Sequence, residues 1–366
     1  MVTIVLFLVV LIYTVVIGFL IYGFTKVNTI DYLSLNPKTK FTIIVPFRNE
    51  NENLPVLLDS LSKLNYPVQL FEVLLVDDES REQFSVLGFQ FSVKIIKNNR
   101  ISNSPKKDAI TTAMHYVNSD WVVTTDADCK LPENWLLTLD NYIQLHDVSM
   151  IASAVTYTCN NSFLHHFQQL DLASLQGATI GSFGINKGFM CNGANFAYTK
   201  SLFKSLIGFD GNDKIASGDD VFLLQKAISK FPKKVHYLKS KNTIVTTKPM
   251  SDWKSLFYQR VRWASKTSSY QSGYGKALGL IVFAGNLAVI TAFGLSLTGF
   301  IMYQHLAFLF LLKFIIDSIL IYQANTFLSQ QSIRYLVLSS LLYPFFSVFV
   351  ALYSLTGMYE WKGRKF

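Results

Sequence analysis

Charge is scarce in this 366-residue chain. Only 16% of its residues are charged and half are hydrophobic, whereas a soluble domain carries about 25% charged residues. The mean hydropathy is +0.29. These values exclude a disordered chain, a collagen-like chain and an ordinary soluble enzyme. Cysteine is nearly absent. Cys129, Cys159 and Cys191 are scattered, with no CxxC and no Cys/His metal spacing, and read as reduced thiols in a cytoplasmic domain. There is no Gly-x-x-x-x-Gly-Lys-Ser/Thr loop, which argues against a P-loop NTPase. There is no zinc-finger spacing and no patch of basic residues interleaved with aromatics, which argues against nucleic-acid binding. No internal repeat or low-complexity tract occurs. His165 and His166 are adjacent and cannot share one helical face. His115, His146 and His236 lack ligand partners at short spacing, so the histidines read as structural or solvated. The sequon Asn160-Asn161-Ser162 has no meaning in a cytoplasmic block.

The apolar excess sits at the two ends. Met1 to Phe24 holds no charged residue. Those residues reach about 36 Å as a helix, enough to cross a hydrocarbon core of roughly 30 Å. There is no basic n-region and no small-x-small cleavage site after the run, so this segment (1–24) is expected to be an uncleaved anchor. Further uncharged runs extend from Ala277 to Leu312, Ser318 to Ile333 and Tyr335 to Tyr359. They predict a C-terminal membrane region (277–359) of two or three spans, then a basic tail (360–366). Three full spans would put Lys362, Arg364 and Lys365 outside, against the positive-inside rule; two spans and an interfacial segment would put them inside. Lys313 and Asp317 lie four apart and can face each other on a helix. They read as a paired couple in a helix bundle rather than as the lining of an acceptor path.

Between the ends, Thr25 to Lys276 holds 28 lysines and arginines against 22 acids. The positive-inside rule places this block in the cytoplasm with Met1 outside. Its basic balance suits a domain beside anionic lipid, or a pyrophosphate site. Phe41 to Val45 is a short apolar run ending at Pro46 and reads as a buried strand. Asn53 to Leu64 carries Leu54, Leu57, Leu58 and Leu61 on one helical face. Phe71 to Val76 reads as a second strand, stopped by Asp77-Asp78. Strand, helix and strand at this spacing suggest a parallel βαβ unit. Val93 to Ile96 reads as a strand, Lys107 to Val117 as a helix, and Trp121 to Thr125 as a strand ending in Asp126-Ala-Asp128. Ligands of open parallel sheets bind beyond the C-terminal strand ends. Pro46 to Glu50 and Asp77-Asp78 should therefore lie side by side.

Asp-x-Asp after a buried strand sets two carboxylates where Mg²⁺ or Mn²⁺ can sit, completed by substrate phosphates. Downstream, Cys191-Asn-Gly-Ala-Asn195 is a small-residue turn. Ser217-Gly-Asp-Asp220 opens a helix periodic at Val221, Leu224 and Ile228; helix capping alone would account for Asp219. Gln259-Arg-Val-Arg262-Trp263 lies on an amphipathic stretch, Trp253 to Ser269, which also reads as a basic helix on the membrane surface.

In this order, the motifs resemble those of the inverting glycosyltransferases of family two, with a GT-A fold. The layout is similar to the membrane-embedded branch that includes cellulose, chitin, hyaluronan and poly-N-acetylglucosamine synthases and ceramide glucosyltransferase. The resemblance covers about Phe41 to Trp263. It implies an α/β fold: a Rossmann-like, mainly parallel sheet flanked by helices (25–250), an interfacial helix (251–276), and membrane helices at both ends. It also implies roles. Pro46, Arg48 and Glu50 match the loop beside base and ribose, and Asp78 the carboxylate that binds the base. Lys106 or Lys107 matches the lysine near the nucleotide. Asp126 and Asp128 match the metal-diphosphate motif, with Asp128 preferred as the direct ligand. Asp219-Asp220 matches the acidic pair, with Asp220 as general base. Gln259, Arg262 and Trp263 match the signature covering pyrophosphate and acceptor.

The implied cofactor is a divalent metal, Mg or Mn. The implied partners are a nucleotide-sugar donor, a uridine one by family default, a lipid or glycan acceptor, and membrane lipid, in a setting such as a bacterial inner membrane. The sequence departs from the pattern in having Ser104-Pro105 where a glycine usually precedes the lysine, and Asp-Asp in place of Glu-Asp. Its shortness puts long-chain processivity in doubt. Two other classes fit less well. A nucleotide-sugar-binding scaffold without activity would not need every catalytic position filled, and a small transporter would need more spans and more intramembrane charge.

Overall fold

The computed structural model describes residues 1–366 except 32, 87, 213–216, 330–332, 357–359, 362, 363 and 366. Lys362 of the expected basic tail lies outside the described residues. The helices in chain order are α1 (Val2–Lys26), α2 (Leu54–Ser62), α3 (Pro105–Met114), α4 (Trp135–Leu145), α5 (Phe163–Gly184), α6 (Lys200–Ser205), α7 (Asp219–Lys230), α8 (Trp253–Ala264), α9 (Gly273–Leu297), α10 (Tyr303–Leu328) and α11 (Leu336–Ser354). The strands are β1 (Phe41–Phe47), β2 (Phe71–Asp77), β3 (Ser92–Lys97), β4 (Trp121–Thr124), β5 (Met150–Ser153), β6 (Val155–Tyr157), β7 (Phe196–Thr199), β8 (Val235–Leu238) and β9 (Val245–Thr247), with a short C-terminal pair beyond them. Contacts divide the chain into two units. One comprises Met1–Val27, Cys159–Gly188 and Pro249–Phe366; the other comprises Asn28–Thr158 and Phe189–Lys248.

The second unit is an α/β domain. Its principal sheet runs β3-β2-β1-β4-β7-β5-β8. The first four of these strands are mutually parallel, and β7 runs antiparallel to both neighbours. β1 and β4 are buried almost throughout, which is why they read as unbroken apolar runs rather than as alternating ones. Leu54, Leu57, Leu58 and Leu61 of α2 join Phe41, Ile43, Val45 and Trp135 in one core. Burying each of those side chains stabilises the fold by about 1.5–3 kcal/mol.

Register then places the loops. Phe47 pairs with Asp77, and Ile44 with Thr124. The segments after β1, β2 and β4 therefore leave the sheet at the same edge, carrying Arg48 to Glu50, Asp78, and Asp126 to Asp128. The strands and helices expected from periodicity are present, with ends that move by a few residues. β1 runs on through Pro46, and α3 begins at Pro105, where the missing amide costs nothing.

The first unit is helical. α1, α9, α10 and α11 are each long and apolar enough to cross a membrane. Three of them, α9, α10 and α11, lie in the C-terminal region where two or three spans are expected. Their boundaries differ from those drawn from charge. The uncharged run Ala277 to Leu312 covers parts of two helices, separated at 298–302 where Gly299 takes a φ of 78°. Lys313 and Asp317, expected to pair on a helix, lie inside α10. Their side chains meet at 2.5 Å, and the Tyr13 hydroxyl donates to the same carboxylate. Mutual neutralisation lets both charges stay within the helix. α1 and α5 cross at glycines. A Cβ on Gly184 would stand 1.8 Å from the Gly23 carbonyl oxygen, and one on Gly181 would stand 2.3 Å from that of Leu20. Small residues allow this backbone approach.

Candidate active site

The α/β unit gathers acids and cations from separate loops. Lys106, in the first turn of α3, donates to Asp126 Oδ1 at 2.6 Å and lies 3.5 Å from Asp219 Oδ2. Burial alone would lower its pKa, but the charges of Asp126, Asp219 and Asp220 hold it above the ordinary lysine value. Lys107, one residue on, is fully buried and donates to the Asn212 carbonyl oxygen at 2.6 Å. Lys106 is thus the lysine that meets these acids. Asp220 is fixed at both oxygens: Oδ2 accepts the Gly193 amide at 2.8 Å and Oδ1 the Val221 amide at 2.7 Å. Gly193 sits among these groups. A Cβ there would be 3.1 Å from Asp219 Oδ2 and 3.2 Å from Lys106 Nζ. The capping account of Asp219 does not hold: Gly218 is the N-cap of α7 with no side-chain cap bond, and Asp219 is turned toward Lys106.

Asp128 is the strained acid. Burial, then the facing charges of Asp126 and Glu50, push its carboxyl up to about 6. Asp126 and Asp128 fit a hard cation on this ground, since a bound cation would relieve the repulsion. Among the described residues, no group of three or more His, Cys, Asp and Glu is arranged to hold a metal. Two carboxylates completed by phosphate oxygens is the usual arrangement for Mg²⁺.

Asp78 forms a second centre, 5% exposed. Its Oδ1 accepts from Asn98 at 2.7 Å and lies 3.4 Å from Arg100. Arg48 donates to the Asp78 carbonyl at 2.9 Å and lies 3.8 Å from its carboxylate. Glu50 accepts from Asn53 at 2.6 Å, and Pro46 lies within β1. Sequence reasoning did not single out Asn98, Arg100 or the place of Gly193 among these acids. For Gly193 the only signal was the small-residue turn 191–195.

Gln259, Arg262 and Trp263 lie on α8, in the helical unit. They share one helix, whose N-cap Asp252 accepts the Ser255 amide.

Residues 42–207 match the family model described as Glycosyl transferase family 2. The chain carries a family-two glycosyltransferase domain. Undecaprenyl-phosphate 4-deoxy-4-formamido-L-arabinose transferase of Photorhabdus laumondii is 30% identical over 108 residues, 27% of this chain and 32% of that protein. The enzyme of the same name in Yersinia pestis is 31% identical over 109 residues, with the same shares. The match thus spans about a third of the length of these relatives. Among solved structures, the mannosyltransferase PcManGT from Pyrobaculum calidifontis, in complex with GDP-Man and Mn²⁺, aligns over 97% of this chain and 98% of its own. The TM-score is 0.54 and the identity 14%. That likeness shows the GT-A fold.

Proposed function

We propose that the chain is a membrane-bound, inverting glycosyltransferase of the hexosyltransferase type. It moves a sugar from a nucleotide-sugar donor, a UDP-sugar by family default, to a lipid-linked or polysaccharide acceptor. The observation that carries this reading is the meeting of Lys106, Asp126, Asp219, Asp220 and Gly193 from separate loops of one domain. The names of the relatives, which act on undecaprenyl phosphate, and the four long apolar helices support a lipid-linked acceptor and a multi-pass membrane setting. The basic excess of the central block supports a cytoplasmic site.

The donor's diphosphate leaves with negative charge, and Lys106 is a cation near the place where that charge develops. Arg262, with Gln259 and Trp263, is the second cationic element by motif order. Asp126 and Asp128 would hold a divalent metal, which supplies Lewis-acid neutralisation of the diphosphate when bound; PcManGT was solved with Mn²⁺ and GDP-Man. Asp78, with Arg48 and Glu50, is assigned to the nucleoside. Asp220, held by two amides, takes the proton of an attacking hydroxyl. Attack opposite the leaving group converts an α-linked donor to a β-linked product.

The test is release of nucleoside diphosphate from a panel of nucleotide sugars by detergent-solubilised protein with Mn²⁺ or Mg²⁺. It is run with a polyprenyl phosphate and, separately, with hydroxyl acceptors. Asp220→Asn is expected to lower turnover on a hydroxyl acceptor by about 10²–10⁴, the usual contribution of a general base, while donor binding survives. A phosphate monoester arrives already ionised, so on that acceptor the loss is expected to be small. Unchanged turnover on a hydroxyl acceptor would remove Asp220 from the role of base.

A further inference from the structure

The motif on α8 has a residue at its centre that its signature does not count. Arg260 is 5% exposed, and its Nε donates to Asp171 Oδ2 of α5 at 2.5 Å; Asp171 is equally buried. The same guanidinium donates to Gln259 Oε1 and lies over the Trp263 ring, 4.2 Å from its centroid. Arg260 and Trp263 are three apart and share a helical face. Arg262 is roughly 200° round from Arg260 at about 100° per residue. Tyr343 of α11 faces the same Asp171 carboxylate. One buried cation therefore touches two of the three signature side chains and is itself anchored to α5.

We propose that Asp171 and Arg260 are a positioning pair for the Gln-x-x-Arg-Trp motif. Asp171 fixes the guanidinium, and the guanidinium sets the rotamers of Gln259 and the plane of Trp263. Charge alone does not perform this role. Arginine's flat fork can bond sideways and stack at once, whereas a lysine ammonium is a point charge that does neither. α5 thereby becomes a support of the α8 motif, although it carries no motif of its own. The inference rests on the proposed use of the motif in sugar transfer, and its test has one arm that is independent of activity.

The full-length protein is labelled with 5-fluorotryptophan, giving one ¹⁹F line for each of its five tryptophans, and Trp263→Phe assigns the Trp263 line. Arg260→Lys is expected to keep the melting temperature near wild type and to shift the Trp263 line. Asp171→Asn, which frees the guanidinium, is expected to shift the same line. In the donor assay, Arg260→Lys is expected to lower kcat by roughly 10–100-fold, the scale of a small misplacement of reacting groups, with the donor KM within about threefold. A Trp263 line that stays in place in both variants overturns the pair. So does wild-type kcat in Arg260→Lys, which would mean that charge suffices. A shifted line in a protein that releases nucleoside diphosphate from no donor would uphold the pair and overturn the transferase reading instead.

Discussion

Replacing Asp128 by asparagine probes the acidic cluster without any donor. The carboxyl titrates at about 6 against an ordinary 3.8, through burial first and then the charges of Asp126 and Glu50. A carboxyl whose folded value lies above its unfolded value holds its proton more tightly when folded. Between those two values the folded chain binds more protons, so stability falls as pH rises through that window, and the cost is fully present above it. At 1.36 kcal/mol per pH unit the gap is worth about 3 kcal/mol, and solvent screening brings it to roughly 1–3 kcal/mol. Asparagine keeps the shape and an acceptor oxygen for Thr247, and removes the charge. In chelator near neutral pH the variant is therefore expected to melt a few degrees above wild type, at about 2–4 °C per kcal/mol for a unit of this size. The difference should narrow as the pH is lowered toward the ordinary aspartate value. Addition of Mn²⁺ should raise the wild-type melting temperature, because a ligand bound only by the folded state stabilises it, and should raise that of the variant less. Equal melting in chelator near neutral pH would mean that burial and the charges of Asp126 and Glu50 impose no net cost on the Asp128 carboxylate.

Lys106→Met leaves Asp126 and Asp219 without their ammonium. The expected results are a loss of roughly 1–3 kcal/mol on denaturant unfolding, between the values for exposed and buried pairs, and loss of donor turnover. Gly193→Ala brings a methyl to 3.1 Å from Asp219 and 3.2 Å from Lys106. Donor turnover should fall about tenfold or more, as displaced reacting groups do, while far-UV circular dichroism stays unchanged. Gly184→Ala places a methyl 1.8 Å from the Gly23 carbonyl oxygen, so α1 and α5 must separate. Its melting temperature in detergent should drop clearly below wild type, whereas Gly18→Ala, which meets nothing within 4 Å, should not change it.

The parts of this protein that could be read from sequence are those whose physics is local. β1, β2 and β4 are buried runs rich in Phe, Ile, Val, Leu and Trp, bounded in the sequence by Pro46 or by aspartates, so their type and the position of the following acids were visible. The sheet edge that collects Arg48 and Asp78 followed from the parallel βαβ rule, and the register of β4 adds Asp126 to it. What sequence could not show was which of two adjacent lysines turns toward the acids, because Lys106 and Lys107 differ only in helical phase and α3 has few apolar residues to set that phase. α5 escaped notice for a related reason. Gln168, Gln169, Asp171 and Gln176 interrupt its apolar face, yet all four are buried. Gln168, for example, takes the Met250 amide and donates to its carbonyl, and Gln169 meets Asn325. A hydropathy scale counts each such residue as solvent-facing, whereas a buried polar side chain with its partners supplied from distant segments behaves as core. Charge runs alone likewise do not mark the ends of α10: the uncharged stretches stop at Lys313 and Asp317, yet this couple, with Tyr13 bonded to Asp317, sits inside the helix. In each case the missing information was a partner at long sequence separation. The pairing of Asp171 with Arg260, 89 residues apart, belongs to that class, and for that reason the signature reads Gln-x-x-Arg-Trp without showing what holds it.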